Sequence, residues 1–84
     1  MERIIKYPLS TEKSIRLMES ENKLVFIVDN AARKPEIKQA IEKRFAAKVL
    51  TVNTFTDRKG RKKAYIRFSP ETPAIDIATK LGLM

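Results

Sequence analysis

Apolar positions along the 84-residue chain recur with two different spacings, which predict helices alternating with strands. A repeat of about 3.6 residues, typical of a helix with one buried face, covers residues 11–20, a segment that begins near Pro35, and a short segment that follows Pro73. We expect Ser10 to cap the first of these helices and Thr72 to cap the last. The middle helix has the clearest apolar stripe, formed by Ile37, Ala40, Ile41 and Phe45.

The segments between the predicted helices have the composition of strands. Residues 24–28 read LVFIV, a continuous apolar run that predicts a strand covered on both faces. Residues 49–56 are rich in β-branched side chains, and residues 64–68 alternate between apolar and polar. The turn at Gly60 joins these last two into an antiparallel hairpin. Residues 1–9 are either a short edge strand or an arm that lies on a partner.

This order of elements predicts an α+β fold in one domain, residues 1–84, with helices packed against an antiparallel sheet of three to four strands. The connection from strand 24–28 through the middle helix to strand 49–56 leaves room for strand 64–68 between them. A chain of this length has room for one core. We expect four aromatic side chains in that core: Phe26, Phe45, Phe55 and Phe68.

The composition removes most catalytic chemistry. Cysteine and histidine are absent, so disulfides, thiol nucleophiles, imidazole bases and the commonest transition-metal ligands are excluded. Two glycines are too few for a glycine-rich phosphate loop. We therefore expect a binding protein with no enzymatic activity, catalytic residue, metal site or cofactor. Neither a membrane span nor a secretory leader is evident, which predicts a cytoplasmic location.

The net charge of +8 predicts a polyanionic partner, and its distribution predicts a basic pole. Residues 57–69 hold six Lys or Arg and one Asp, whereas residues 70–84 hold one basic and two acidic side chains. Arginine forks and mobile lysine ammonium groups together suit an irregular phosphate backbone, although a solvated hairpin tip is often equally charged. The predicted phosphate ligands are Arg58, Lys59, Arg61, Lys62 and Lys63, with Arg33 and Lys34 as a smaller patch.

Recognition of single-stranded bases on a sheet is the weaker RNA hypothesis. Its usual signature interleaves aromatic and small residues directly after the glycine, whereas Gly60 is followed by three basic residues. With the phenylalanines predicted to be core, Tyr65 is the one expected stacking platform.

Five segments occur in an order that resembles the family of large-subunit ribosomal protein twenty-three, over nearly the whole chain. They are YPLSTEKS, NKLVFIVD, KPEIKQAIEKRF, KVLTVNT and GRKKAYIRF. The resemblance implies a non-enzymatic protein at the rim of the polypeptide exit tunnel of cytoplasmic ribosomes, bound to large-subunit ribosomal RNA and beside another small ribosomal protein. It also implies a share in the platform where the signal recognition particle docks. Neither DNA binding nor membrane insertion is expected.

Further site residues follow from the resemblance. Thr11, Glu12 and Lys13 match the motif that opens the family's first helix, which makes Lys13 an expected RNA contact and Glu12 the candidate contact for docking factors. Stabilisation of the helix by a carboxylate near its N-terminus would account for Glu12 equally well. Asn53 and Thr54 match the hairpin that contacts RNA in the family.

One departure from the family narrows the expected partners. Bacterial members carry a long extension between the two hairpin strands, and only a few residues join them here. The short hairpin and the ending AIDIATKLGLM resemble the archaeal and eukaryotic branch, so we expect the signal recognition particle rather than a bacterial chaperone. The alternative from another class is a free-standing protein-interaction module whose basic surface binds acidic partners.

Overall fold

The computed structural model describes residues 4–82, which form four strands and three helices. In chain order the elements are β1 (Ile5–Pro8), α1 (Glu12–Glu21), β2 (Lys23–Val28), α2 (Lys34–Phe45), β3 (Val49–Thr56), β4 (Lys62–Phe68) and α3 (Ala74–Lys80). The predicted α+β class is confirmed. Residues 1–3 of the predicted N-terminal strand or arm, and residues 83 and 84 of the predicted C-terminal segment, lie outside the described residues.

The strands form one antiparallel sheet in the order β1-β2-β4-β3. The prediction that residues 64–68 lie between the other two long strands is therefore confirmed. Of the two alternatives for the N-terminal segment, the edge strand is the one observed, because β1 pairs with β2. The C-terminal strand of the hairpin, β4, thus occupies the interior of the sheet with a partner on each side.

The main core lies between the helices and one face of the sheet, which we call the helix face. Alternate residues of β2 and β4 point into it, including Phe26, Ile66 and Phe68. They meet Ile37 and Ile41 of α2, as the predicted stripe requires, and Ile77 of α3. Each fully buried large side chain stabilises the fold by about 1.5 to 3 kcal/mol, so this layer dominates the stability of the domain.

The prediction that Phe55 belongs to the core is wrong, because this side chain is 60% exposed. Strand β3 carries a β-bulge between Val49 and Thr51. One extra residue in a strand moves every later side chain to the other face of the sheet. Val49 is buried against the helices, and the residues that follow it with the same parity, including Phe55, therefore face away from them.

The cap of α1 is Thr11 rather than the predicted Ser10. The Thr11 hydroxyl accepts a hydrogen bond from the Ser14 N–H at 3.2 Å, and the Ser14 hydroxyl accepts one from the Thr11 N–H at 2.8 Å. The two side chains thus satisfy one another's free backbone donors, as in a capping box. Ser10 has no residue three positions later that could reciprocate in this way.

The N-terminus of α3 is satisfied by Asn22 rather than by the predicted Thr72. Asn22 ends α1 in the left-handed conformation, and its Oδ1 accepts a hydrogen bond from the Ala74 N–H at 2.6 Å. Its Nδ2 donates to the carbonyl oxygens of Phe68, Ser69 and Thr72, each at 3.1 Å. One side chain therefore fastens α1, β4 and α3 together.

Candidate nucleic-acid interface

The turn between β3 and β4, together with the first residues of β4, forms the basic hairpin, residues 57–63. Asp57 organises it from within: its Oδ1 accepts hydrogen bonds from the N–H groups of Lys59 and Arg61, both at 2.9 Å. Its Oδ2 accepts from Nε of Arg61 at 3.0 Å. Gly60 supplies the positive φ of 81° that the turn requires. Arg58 and Lys59 are consequently held at the exposed tip of an ordered turn.

These contacts fix the ionisation of the hairpin. The backbone N–H of Arg61, followed by its guanidinium and the N–H of Lys59, holds the pKa of Asp57 below its ordinary value of 3.8. The Tyr7 hydroxyl, and after it the Asp57 carboxylate, raise the pKa of Arg61. Asp57 is therefore ionised at neutral pH and already engaged by protein donors, with its side chain only 13% exposed.

The five predicted phosphate ligands of the basic hairpin are not equivalent. Lys62 points to the helix face, and its Nζ donates to the carbonyl oxygen of Ala32 at 2.7 Å. Nζ of Lys63, on the other face, lies 4.0 Å from Oδ2 of Asp57. Arg58 and Lys59 are exposed, and Arg61 is half-buried. Lys62 thus has a structural contact of its own, while the tip residues are free to meet a ligand.

The contact of Lys62 brings the smaller basic patch to the basic hairpin. Its Nζ reaches the loop before α2, where it also lies 3.5 Å from the carbonyl oxygen of Asn30. Arg33 and Lys34 follow that loop directly and are exposed at the start of α2. The two patches that were predicted separately therefore lie at the same end of the sheet.

The second face of the sheet, which we call the open face, collects aromatic and basic side chains. Strand pairing places Lys63, Tyr65 and Arg67 of β4 on it, opposite Phe55, Asn53 and Thr51 of β3. On the other side of β4 they meet Ile27, Val25 and Lys23 of β2, of which Ile27 and Val25 are buried. Tyr7, 45% exposed, pairs with Ile27 and completes the face.

The predicted RNA contacts Asn53 and Thr54 are divided between the two faces. Asn53 lies opposite Tyr65 on the open face, whereas Thr54 lies opposite the buried Ala64 on the helix face. Tyr65 is on the open face as its alternation with Ala64 and Ile66 implies. Tyr7 and Phe55 were missed as site residues, because only the pairing register shows which face each one occupies.

A shallow depression of about 210 Å³ joins α1 to the open face. Val25 and Tyr65 line it from the sheet, and Lys13 lines it from α1. Arg61 and Lys63 line it from the basic hairpin, so Lys13 meets three predicted RNA contacts that lie about 50 residues later in the chain. Its volume is smaller than the roughly 300 Å³ at which sites for drug-sized ligands begin, and its cations suit an anionic group.

Glu12, the candidate docking residue, does not line this depression. Its side chain is 84% exposed and accepts a hydrogen bond from Arg16, one helical turn later, at 3.3 Å. An exposed pair of this kind contributes little to stability. Ile15 is exposed on the same part of α1.

Residues 4–82 contain neither a metal-binding cluster nor a membrane-spanning helix. No cluster of three or more acidic side chains that could hold a metal ion occurs there. None of the helices in this range is long and apolar enough to cross a membrane.

A sheet that exposes aromatic and basic side chains on one face belongs to a class of architecture that nucleic-acid-binding domains use. The family model described as ribosomal protein L23 matches residues 3–77. The chain belongs to the ribosomal protein L23 family. The resemblance seen in its motifs is thereby confirmed.

Two curated relatives show how far the similarity extends. The large ribosomal subunit protein uL23 of Trypanosoma brucei brucei is 50% identical over 82 residues, which cover 98% of this chain and 50% of the relative. The protein of the same name from Tetrahymena thermophila is 46% identical over 81 residues, which cover 96% of this chain and 54% of the relative. The chain thus spans about half the length of the curated relatives that it matches.

Proposed function

We propose that this chain is a structural component of the large ribosomal subunit that binds large-subunit ribosomal RNA near the polypeptide exit tunnel. The observation that carries the proposal is the basic hairpin. Its single carboxylate, Asp57, is occupied by Lys59 and Arg61, so Arg58 and Lys59 extend from an ordered turn without a neighbouring anion to neutralise them. Membership in the L23 family supports ribosomal RNA as that polyanion.

The arrangement of the cations supports contact with more than one phosphate. Lys62 ties the basic hairpin to the loop before α2, which places Arg33 and Lys34 at the same end of the molecule. Basic side chains at a helix N-terminus oppose the helix dipole, so the stability of α2 does not explain them. A folded RNA backbone that passes this end would meet the hairpin tip and the start of α2 together.

The other predicted contacts have unequal roles in this proposal. Lys13, Arg61, Lys63 and Tyr65 line one depression and are assigned to RNA together. Asn53 lies beside them on the open face. Thr54 and Lys62 point to the helix face, where they act on the fold and on the position of the hairpin.

The first experiment is a salt series on binding to large-subunit ribosomal RNA fragments, with a random RNA of equal length as the competitor. Each phosphate contact contributes roughly 0.7 to 0.9 to the log-log salt slope. The double variant Arg58→Ala/Lys59→Ala should therefore reduce the slope by about 1.4 to 1.8. Its matched control is Lys43→Ala/Lys80→Ala, which removes two exposed cations from the ends of α2 and α3.

The proposal requires that one ribosomal fragment be preferred at every salt concentration and that the control pair leave the slope unchanged. A slope that both double variants reduce equally would show that only net charge matters. Binding to the random RNA as tightly as to every ribosomal fragment would overturn the assignment to the ribosome.

On the ribosome we propose a second, less basic surface that contributes to the docking platform for the signal recognition particle, beside a neighbouring ribosomal protein. Support comes from α1, where Glu12 and Ile15 are exposed and neither lines the depression that Lys13 shares with the basic hairpin. Glu12→Lys should weaken cosedimentation of the particle with cytoplasmic ribosomes that carry the variant, and Glu19→Lys, on the same helix, is the matched charge change. Equal losses with both variants would remove the specific assignment to Glu12.

We propose no catalytic role, cofactor, DNA contact or membrane insertion.

A further inference from the structure

Two β-bulges deliver aromatic side chains to the open face. The bulge in β1, between Ile5 and Tyr7, leaves Ile5 buried and turns Tyr7 outward. The bulge in β3 turns Phe55 outward in the same way. Bulges are features that re-aim side chains, and they are common beside functional sites. With Tyr65 of β4, three strands each contribute one aromatic ring to the open face.

The positions of these rings follow the pairing register. Tyr7, Ile27, Lys63 and Phe55 form one cross-strand row, so Tyr7 and Phe55 are separated by three strand spacings, roughly 14 Å. Tyr65 belongs to the next row and is the diagonal neighbour of Phe55, roughly 7 to 8 Å away. Lys63 therefore lies among the three rings.

The electrostatics of the open face complement an anion. None of the four strands contains an Asp or Glu. Lys63 and Arg67 of β4 and Lys23 of β2 project from this face, and the depression adds Lys13 and Arg61. The carboxylates of Asp57 and Glu21 pair with some of these cations, so the cations remain in excess. A surface that binds a protein partner would be expected to have fewer lysines at its centre, because charged residues are depleted at the centres of protein–protein interfaces. Aromatic rings interleaved with cations instead match the chemistry of unpaired nucleotides, whose bases stack while their phosphates are neutralised.

We propose that the open face is a stacking platform for unpaired RNA bases, with one base on Tyr65 and another on Phe55. Lys63 and Arg61 hold the adjoining phosphates, and the depression beside Lys13 receives the backbone. This inference rests on the proposed RNA-binding function and adds a second mode of contact to it. The basic hairpin neutralises phosphates, whereas the open face selects RNA that presents unstacked bases.

Ring removal without charge removal tests the platform. The probes are a single-stranded RNA of about 12 nucleotides and a duplex of the same sequence. Phe55→Leu and Tyr65→Leu keep an apolar strand residue but remove the ring, and each should weaken single-strand binding by about 5- to 150-fold. Because neither variant loses a charge, the salt slope should stay that of the parent chain. Duplex binding should be unaffected.

Three controls separate stacking from loss of structure. Tyr65→Phe retains the ring and should recover most of the affinity that Tyr65→Leu loses, because the π-face carries the stacking energy. Ile75→Ala removes an exposed apolar side chain from α3, outside the sheet, and should bind both probes normally. Thermal unfolding of each variant shows whether it is folded. Because Phe55 is largely exposed, its replacement should have little effect on stability.

Intrinsic fluorescence gives a direct reading of Tyr65. The chain has two tyrosines and no tryptophan, so Tyr7→Phe leaves Tyr65 as its one tyrosine fluorophore. Stacking of a base should quench that emission on addition of the single strand but not of the duplex. Unchanged emission at saturating single strand, or parent-like affinity of both Leu variants, would overturn the platform. That outcome is distinct from failure of the proposed function, in which removal of Arg58 and Lys59 would leave the salt slope unchanged.

Discussion

The two faces of the sheet place side chains of the same type in different environments. The helix face is filled by side chains such as Phe26 and Ile66, which are almost completely buried and touch α2 and α3. The open face carries Phe55 and Tyr65 among lysines and arginines, and no helix layer covers Phe55. The same residue type therefore stabilises the fold on one face and is available to a ligand on the other. Neighbouring residues of β4 act in different ways because they alternate between these faces.

The largest expected difference between the faces is in stability. Phe26→Ala should lower the free energy of unfolding by about 3 to 5 kcal/mol, because it leaves a cavity in the helix-face core. Phe55→Ala should change it by about 0.5 kcal/mol or less, as for most exposed positions. Chemical denaturation monitored by circular dichroism measures both. Similar losses for the two variants would show that the open face is also part of the core.

The second prediction concerns the hold of α3 on the helix face. Asn22→Ala removes every hydrogen bond of the Asn22 side chain and places alanine at a φ of 56°, so we expect a loss of about 2 to 4 kcal/mol in unfolding free energy. Asn22→Gly tolerates the backbone conformation and isolates the hydrogen-bond part of that loss. Binding of single-stranded RNA by the folded fraction should remain unchanged. A stable Asn22→Ala chain would show that apolar packing alone holds α3.

The third prediction compares two adjacent lysines of β4. Lys62→Ala should lower the unfolding free energy by about 1 kcal/mol, because the Ala32 carbonyl loses its ammonium donor. Lys63→Ala should have less effect on stability and should reduce the salt slope of RNA binding by roughly 0.7 to 0.9. Denaturation curves and salt titrations of both variants measure the contrast. The reverse pattern would place the phosphate contact at Lys62, on the helix face, rather than at Lys63, on the open face.

The smallest effect is expected in acid. The folded pKa of Asp57 is lowered, so the unfolded chain binds more protons than the folded chain between the two pKa values. The stability that Asp57 contributes is therefore present above its ordinary pKa of 3.8 and is lost as the pH falls through the lower, folded value. Asp57→Asn should lack that part of the acid dependence. Thermal unfolding of both chains across this pH range measures it, and parallel curves would contradict it.

Sequence periodicity predicted the elements of this fold well where the pattern is regular. The stripe on α2, the apolar run of β2 and the place of β4 between its two neighbours are all observed. The exposure of Phe55 depends on an irregularity, because Phe55 has the same parity as the buried Val49 and only the bulge between them places the two on opposite faces. No residue near Leu50 marks the extra position, since the bulge is defined only by the pairing with Phe68 and Arg67 of β4.

The candidate site was predictable in charge but not in geometry. A cluster of basic residues beside Gly60 is visible in the sequence, but the division of Lys62 and Lys63 between the helix face and the open face is not. That division depends on which face the strand presents to the loop before α2. The role of Asn22 is likewise not visible in the sequence, because its hydrogen-bond partners lie 46 to 52 residues later in the chain.

The position of β4 has a consequence for the order in which the chain can fold during its own synthesis. Strands β2 and β3 are made first, yet neither pairs with the other, since β4 lies between them. A nascent chain that ends before Lys62 therefore has a β2 edge, with the sequence LVFIV, that has no partner on its β4 side. Pairing between residues this far apart forms slowly, and unpaired apolar edges are prone to aggregation. The sheet can therefore be completed only after β4 has been made, because β2 and β3 each pair with it and not with one another.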